Sequence, residues 1–232
     1  MIDIYKVILN FINLRTLVGI DFSLNSPAFC IYKNGRYYLG TLTRSERSEE
    51  SLKKNKKKPF AVLCEMDMVE MIFMDKEKMP ESYVEKERVK IDSFDNIVRL
   101  FWNKILDIVG DDDFSVAIEG LSFSSNGNAL IDISMATGLL RRDIIKKIGR
   151  ENFYVFSPAA IKKFAIKGNA KKHELYAVLM NREHNGTNLD SFTNILNDNY
   201  LEWVTKSYAV NKPLDDIIDS IWVCLFLENQ II

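Results

Sequence analysis

The chain has 232 residues, with 31 Lys+Arg against 32 Asp+Glu, a net charge of −1 and 47% hydrophobic residues. That apolar content excludes wholesale disorder, and no run of about 18 uncharged apolar residues offers a membrane span. The length suits one domain, or one domain carrying a large insertion.

The first fourteen residues, MIDIYKVILNFINL, lack a basic leader and a small-residue cleavage site, so no secretion signal is expected. Three widely spaced cysteines, Cys30, Cys64 and Cys224, point away from a disulfide framework and toward an intracellular, reducing setting. Two histidines and no CxxC pair leave little for structural zinc. Carboxylates are the better place to look for chemistry.

In chain order, Thr16–Phe22 and Pro27–Lys33 are apolar strands, and Asn34-Gly35 joins the second to Arg36–Thr43 as a two-residue hairpin. Arg44–Lys58 is almost free of apolar residues and is expected as a solvated loop. Phe60–Met74, rich in methionine, fits strand or helix equally. Residues 44–91 are expected as an insertion within one domain spanning 1–232. Asp92 or Ser93 caps a helix over Phe94–Val109. The strand Phe114–Glu119, the helix Leu130–Ile148 and the strand Phe153–Phe156 follow. Helices are expected over Ala159–Phe164, Ala170–Arg182 and about Ser191–Lys206. Pro213 opens a last helix, Leu214–Glu228. Strands alternating with helical crossovers imply an α/β sheet covered on both faces.

Four acids stand in suggestive places. Asp21 ends the first strand and Glu119 the fourth, while Asp216 and Asp219 share one face of the last helix. Each acid alone is also what a turn or a helix N-terminus selects. Together, at one sheet edge, they would repel one another unless a divalent cation neutralised them. Oxygen donors favour Mg²⁺ or Mn²⁺, and two such ions can promote hydrolysis of a phosphodiester.

The segments VGIDFSLNSPAF, AIEGLSFSSNGNALIDISMATGLLR, FSPAAIKKFAIKGNAKKHEL and KPLDDIIDSIWV occur in the order found in RuvC-type Holliday-junction resolvases. The chain resembles that family, including its phage and poxvirus relatives, over about Thr16–Arg44 and Asp92–Leu227. The resemblance implies a ribonuclease H-like mixed five-stranded sheet flanked by helices, with the insertion after the third strand. It implies a metal-dependent crossover junction endodeoxyribonuclease, active in recombination and repair as a homodimer. Asp21, Glu119, Asp216 and Asp219 match the family's ligands for two Mg²⁺ or Mn²⁺ ions. Lys172 matches a lysine that assists at the phosphate, Lys162 matches a DNA-contacting lysine, and Asp215 is left to capping or orientation. Two positions depart from the pattern. Ala28 stands where the family commonly has Gly, and Ser122, followed by Phe123, stands where it has a junction-opening aromatic.

Ten basic residues against two acids between Arg141 and Lys172 make a local positive field suited to a phosphate backbone. Arg141, Arg142, Lys162, Lys163 and Lys167 are the candidate DNA contacts there, joined by Ser122, Phe123 and Asn126 in the loop after Glu119. A second basic run, Lys53–Lys58, fits DNA or a solvated loop. Small residues Ser134, Ala136 and Gly138, with Met135 and Leu139, suit either a dimer interface or close packing on the sheet.

The expected partner is branched DNA, above all the four-way junction. A flap or fork nuclease on the same site and a catalytically silent junction-binding protein are the alternatives. An actin-like ATP-binding module also starts on a Gly-x-Asp strand, but the chain lacks its phosphate loop after Gly19.

Overall fold

The computed structural model describes residues 15–45, 58–121, 127–205, 207 and 209–231. Its strands are β1 (Thr16–Asp21), β2 (Ala28–Lys33), β3 (Arg36–Ser45), β4 (Val69–Asp75), β5 (Phe114–Glu119) and β6 (Phe153–Phe156). Its helices are α1 (Lys58–Glu65), α2 (Tyr83–Val109), α3 (Gly127–Ile148), α4 (Pro158–Ala165), α5 (Lys172–Asn181), α6 (Asn188–Asp198), α7 (Tyr200–Trp203) and α8 (Leu214–Ile231).

The sheet order is β4-β3-β2-β1-β5-β6. β1, β2 and β3 form an antiparallel meander, and β5 and β6 continue from β1 in parallel. Asn34 and Gly35 close the β2–β3 hairpin at φ 52° and 76°. Both angles belong to the turn type that Asn-Gly selects. The sheet therefore has six strands where five were expected. The sixth, β4, pairs in parallel with β3 along Leu39↔Val69 to Ser45↔Asp75.

The ambiguous stretch Phe60–Met74 holds both elements, α1 and then β4. β3 runs on to Ser45 into the expected loop, and the rest of that loop, 46–57, lies outside the described residues. α2 begins at Tyr83, not at Asp92 or Ser93. Ser93 is buried inside it, and its hydroxyl accepts a 3.0 Å hydrogen bond from Arg44. The first turns of α2 expose Tyr83, Val84 and Ile91, so no apolar stripe marks them in the sequence. Ion pairs three residues apart, Glu85–Arg88 and Glu87–Lys90, lie along them. The helix expected to reach Lys206 stops at Asp198, and α7 follows as a separate short turn.

Alternation along β1 sorts the core into two layers. Val18 and Ile20, with Phe29, Ile31, Val116 and Ile118, pack beneath α2 and α3. Leu17, with Cys30, Leu39 and Ala117, packs beneath α5, α6 and α8. Gly19 and Asp21 fall on this second side. A Cβ at Gly19 would meet the backbone nitrogen of Cys224 and lie 2.6 Å from the Ser220 carbonyl oxygen. Glycine is therefore what lets α8 cross directly over β1, and this crossing carries the first turns of α8 to the end of β1. Gly40 likewise makes room for the Phe29 ring. Among the described residues, no helix is long and apolar enough to cross a membrane.

Candidate active site

β1 and β5 are parallel neighbours in the register Ile20↔Ile118, so the residues that follow, Asp21 and Glu119, emerge side by side at the same sheet edge. Asp216 and Asp219 come from the first turns of α8. All four line one cleft of about 280 Å³, which Lys162 of α4 and Lys172 of α5 also line. Leu130 and Ile133 of α3, with Ile161, Leu175 and Trp222, supply its apolar lining.

The electrostatics follow from crowding acids where water is scarce. Burial pushes the Asp21 carboxyl well above its usual range, and the charges of Asp219, Asp216 and Glu119 push the same way, against Lys172. Glu119 is pushed up to about 7, by burial and then by Asp219, with Lys162 and Lys172 opposing. Burial also raises Asp216, where Asp215 adds to the shift and Lys212 and Ser26 work against it. Asp219 is raised by burial despite the Lys172 charge beside it. Burial works against the Lys172 ammonium, yet the charges of Asp219 and Asp215 outweigh it and hold that group above its ordinary value.

Two lysines reach these acids directly. Lys172 Nζ bridges Asp215 and Asp219 at 2.9 Å each. Lys212 Nζ lies 2.9 and 3.1 Å from the two oxygens of Asp216 and donates a 3.1 Å hydrogen bond to the Ser26 hydroxyl. That hydroxyl in turn donates to Asp216. Asp215 thus holds Lys172 in place. Its other oxygen, Oδ1, is buried with no hydrogen-bond partner.

Among the described residues, no three His, Cys, Asp or Glu side chains are gathered closely enough to hold one ion in this conformation. The donor chemistry nonetheless fits a hard divalent cation. Every candidate ligand is a carboxylate oxygen, and their mutual repulsion is what an added positive charge relieves. Asp21, Glu119, Asp216 and Asp219 are the residues that would hold it.

The remaining candidates are scattered. Lys163 is exposed on α4, and Lys167 is exposed and paired with Glu174 at 2.6 Å. Arg142 is exposed on α3 and paired with Asp143 at 2.8 Å. Arg141 is half-buried, with an enclosed Nε that has no hydrogen-bond partner. Ser122, Phe123 and Asn126 lie outside the described residues, as does the Lys53–Lys57 part of the second basic run. Lys147, at the far end of α3, lines a hollow with Arg15 and Asp111–Asp113, where β1 and β5 begin. The basic stretch therefore spreads over both edges of the sheet. Lys212 and Ser26 escaped the sequence reading. Lys212 carried a usable signal, four residues ahead of Asp216, whereas Ser26 is 190 residues from its partner and carried none.

Comparison with solved structures finds similarity to RuvC and to a poxvirus resolvase. The Thermus thermophilus RuvC structure is 13% identical, with a TM-score of 0.44, over 93% of this chain and 96% of that one. T. thermophilus RuvC in complex with a Holliday junction substrate gives a TM-score of 0.45 at the same identity and coverage. The fowlpox virus resolvase, in complex with substrate Holliday junction DNA, is 16% identical over 94% of this chain and 99% of that one, with a TM-score of 0.38. The chain itself folds as a mixed α/β protein, a six-stranded sheet flanked by helices. No protein-family model and no curated protein sequence matches the chain.

Proposed function

We propose that this chain is a metal-dependent endonuclease that nicks branched DNA, with the four-way junction as its main substrate. The observation that carries the reading is the single cleft lined by Asp21, Glu119, Asp216 and Asp219 from three separate elements, with Lys162 and Lys172 beside them. Two Mg²⁺ or Mn²⁺ ions bound there would activate water and neutralise charge on the cleaved phosphodiester.

The chain's own residues do the rest. Lys162 and Lys172 draw a phosphate toward the acids by charge, and Asp215 keeps Lys172 aimed into the cleft. The apolar walls formed by Leu130, Ile133 and Ile161 limit water around the reacting group, which strengthens each of these interactions.

Two matched nicks on a junction call for two sites related by a two-fold axis, so the proposal includes a homodimer. The face for it is the exposed stripe Ile131, Met135 and Gly138 on α3. Ala136 is fully buried against the sheet and cannot belong to that face. The Ser134 hydroxyl bonds back to the Leu130 carbonyl. Residues 1–232 are proposed as one nuclease domain with 44–91 inserted in it, and the inserted part lengthens the sheet by β4.

The test is cleavage of labelled four-way, flap and linear duplex DNA in Mg²⁺ or Mn²⁺. Preferential, paired nicking of the four-way junction supports the reading. Equal cutting of all three points to a less selective nuclease, and tight junction binding without cutting in either metal points to a silent binder.

A further inference from the structure

Asp216 is the candidate ligand whose two oxygens are both already engaged. Its side chain is 4% exposed, whereas the Lys212 side chain that holds it is 60% exposed. A largely exposed lysine thus reaches inward to a buried carboxylate. The Ser26 hydroxyl, itself buried, completes the arrangement by donating to Asp216 and accepting from Lys212. Ser26 is fixed in turn by its backbone N–H, which donates to the Ser23 hydroxyl at 3.1 Å, and Ser23 lines the same cleft.

Helix stability does not account for Lys212. It stands just before α8, at the end of a helix where the peptide dipoles disfavour a cation. A pair spaced four residues apart also adds little to the stability of a helix. The buried Asp216 does account for it, because an unpaired carboxylate there is costly.

We propose that Lys212 is a resident counter-ion of the cleft. Its ammonium, seated by Ser26, holds Asp216 while no metal is bound and gives way when a divalent cation enters. Lys212 and Ser26 are thereby positioning residues that set how tightly the cation binds. The inference rests on the reading of Asp216 as a metal ligand, and it concerns affinity, which is measurable without DNA.

The test is titration of the full chain with Mn²⁺, free Mn²⁺ being followed by electron paramagnetic resonance. Lys212→Met is expected to bind Mn²⁺ about tenfold more tightly than wild type, because a competing ion pair has been removed. Lys212→Arg keeps the competing charge and is expected within about twofold of wild type. Lys171→Met removes an exposed lysine with no contact to Asp21, Glu119, Asp216 or Asp219, so it reports the general effect of one less positive charge and is also expected within about twofold. Ser26→Ala loosens the seat while leaving Lys212 in place. It is expected to tighten binding by a few fold, and it carries the test if Lys212→Met does not fold. Binding by Lys212→Met that is unchanged, weaker or no tighter than that of Lys171→Met overturns the proposal. Wild type that binds no Mn²⁺ at all overturns the metal-ligand reading, and this inference falls with it. Wild type that binds while the variants do not tighten sinks this inference alone.

Discussion

Replacing Gly19 with alanine tests whether α8 is seated on β1 as described. The added Cβ would meet the Cys224 backbone nitrogen and lie 2.6 Å from the Ser220 oxygen and 2.7 Å from the Cys224 Cα. All three are backbone atoms of a buried helix, so no side chain can swing aside. Ordinary contact needs about 3.5–4.0 Å, so α8 must retreat by about 1 Å or more. Overpacking of this kind costs about 1–3 kcal/mol, and rigid backbone on both sides places it at the upper end. At about 2–4 °C per kcal/mol for a chain of this size, the melting temperature should fall by roughly 6–12 °C. The retreat also moves Asp216 and Asp219 away from Asp21, so Mn²⁺ binding should weaken with it. Thermal unfolding followed by circular dichroism, together with Mn²⁺ titration, measures both effects. A variant melting within about 2 °C of wild type, with unchanged Mn²⁺ binding, would refute the close crossing and its role in assembling the acids.

In metal-free buffer, burial and the Asp219 charge push the folded-state Glu119 carboxyl up to about 7 from its ordinary 4.5, so between those values the folded state holds a proton that the unfolded state has lost. Stability should therefore fall as pH rises between those two values. Glu119→Gln should flatten that slope, and denaturant midpoints across the range would show it; an unaltered slope would mean another group is responsible. Lys162→Ala should weaken junction binding and lower the log–log salt slope by about one unit, read from titrations at several salt concentrations. Gly138 lies open, with nothing near its missing Cβ, so Gly138→Arg should leave the fold intact while splitting the dimer. Light scattering would report the monomer, and singly nicked junctions should accumulate.

The strands bearing Asp21 and Glu119 were legible because each is an apolar run stopped by an acid at a sheet edge. The Asn34-Gly35 hairpin and the Pro213 start of α8 were legible from local chemistry. β4 was not. It is a half-exposed edge strand, VEMIFMD, whose methionines serve a strand or a helix equally well. The start of α2 was missed because its first turns face solvent and lack an apolar stripe. Ser134, Ala136 and Gly138 looked like one small-residue face, but residues two apart on a helix point away from each other, and Ala136 turned inward. The basic run misled in a similar way, since density along the chain is not density in space: α3 begins beside the cleft and carries Lys147 to the opposite sheet edge. Lys212 could have been read from its spacing to Asp216, but Ser26 reaches both from a distant segment and only the fold reveals it.

The most direct measurement is cleavage of a labelled four-way junction by Asp21→Asn beside wild type, in Mg²⁺ and in chelator, with junction binding followed in parallel. The substitution removes a charge while keeping the length of the side chain. Wild type should make paired nicks in Mg²⁺ and none in chelator, and Asp21→Asn should bind the junction without cleaving it. Cleavage by the variant above about a tenth of the wild-type rate, well short of the loss that removing a catalytic charge should bring, would contradict it.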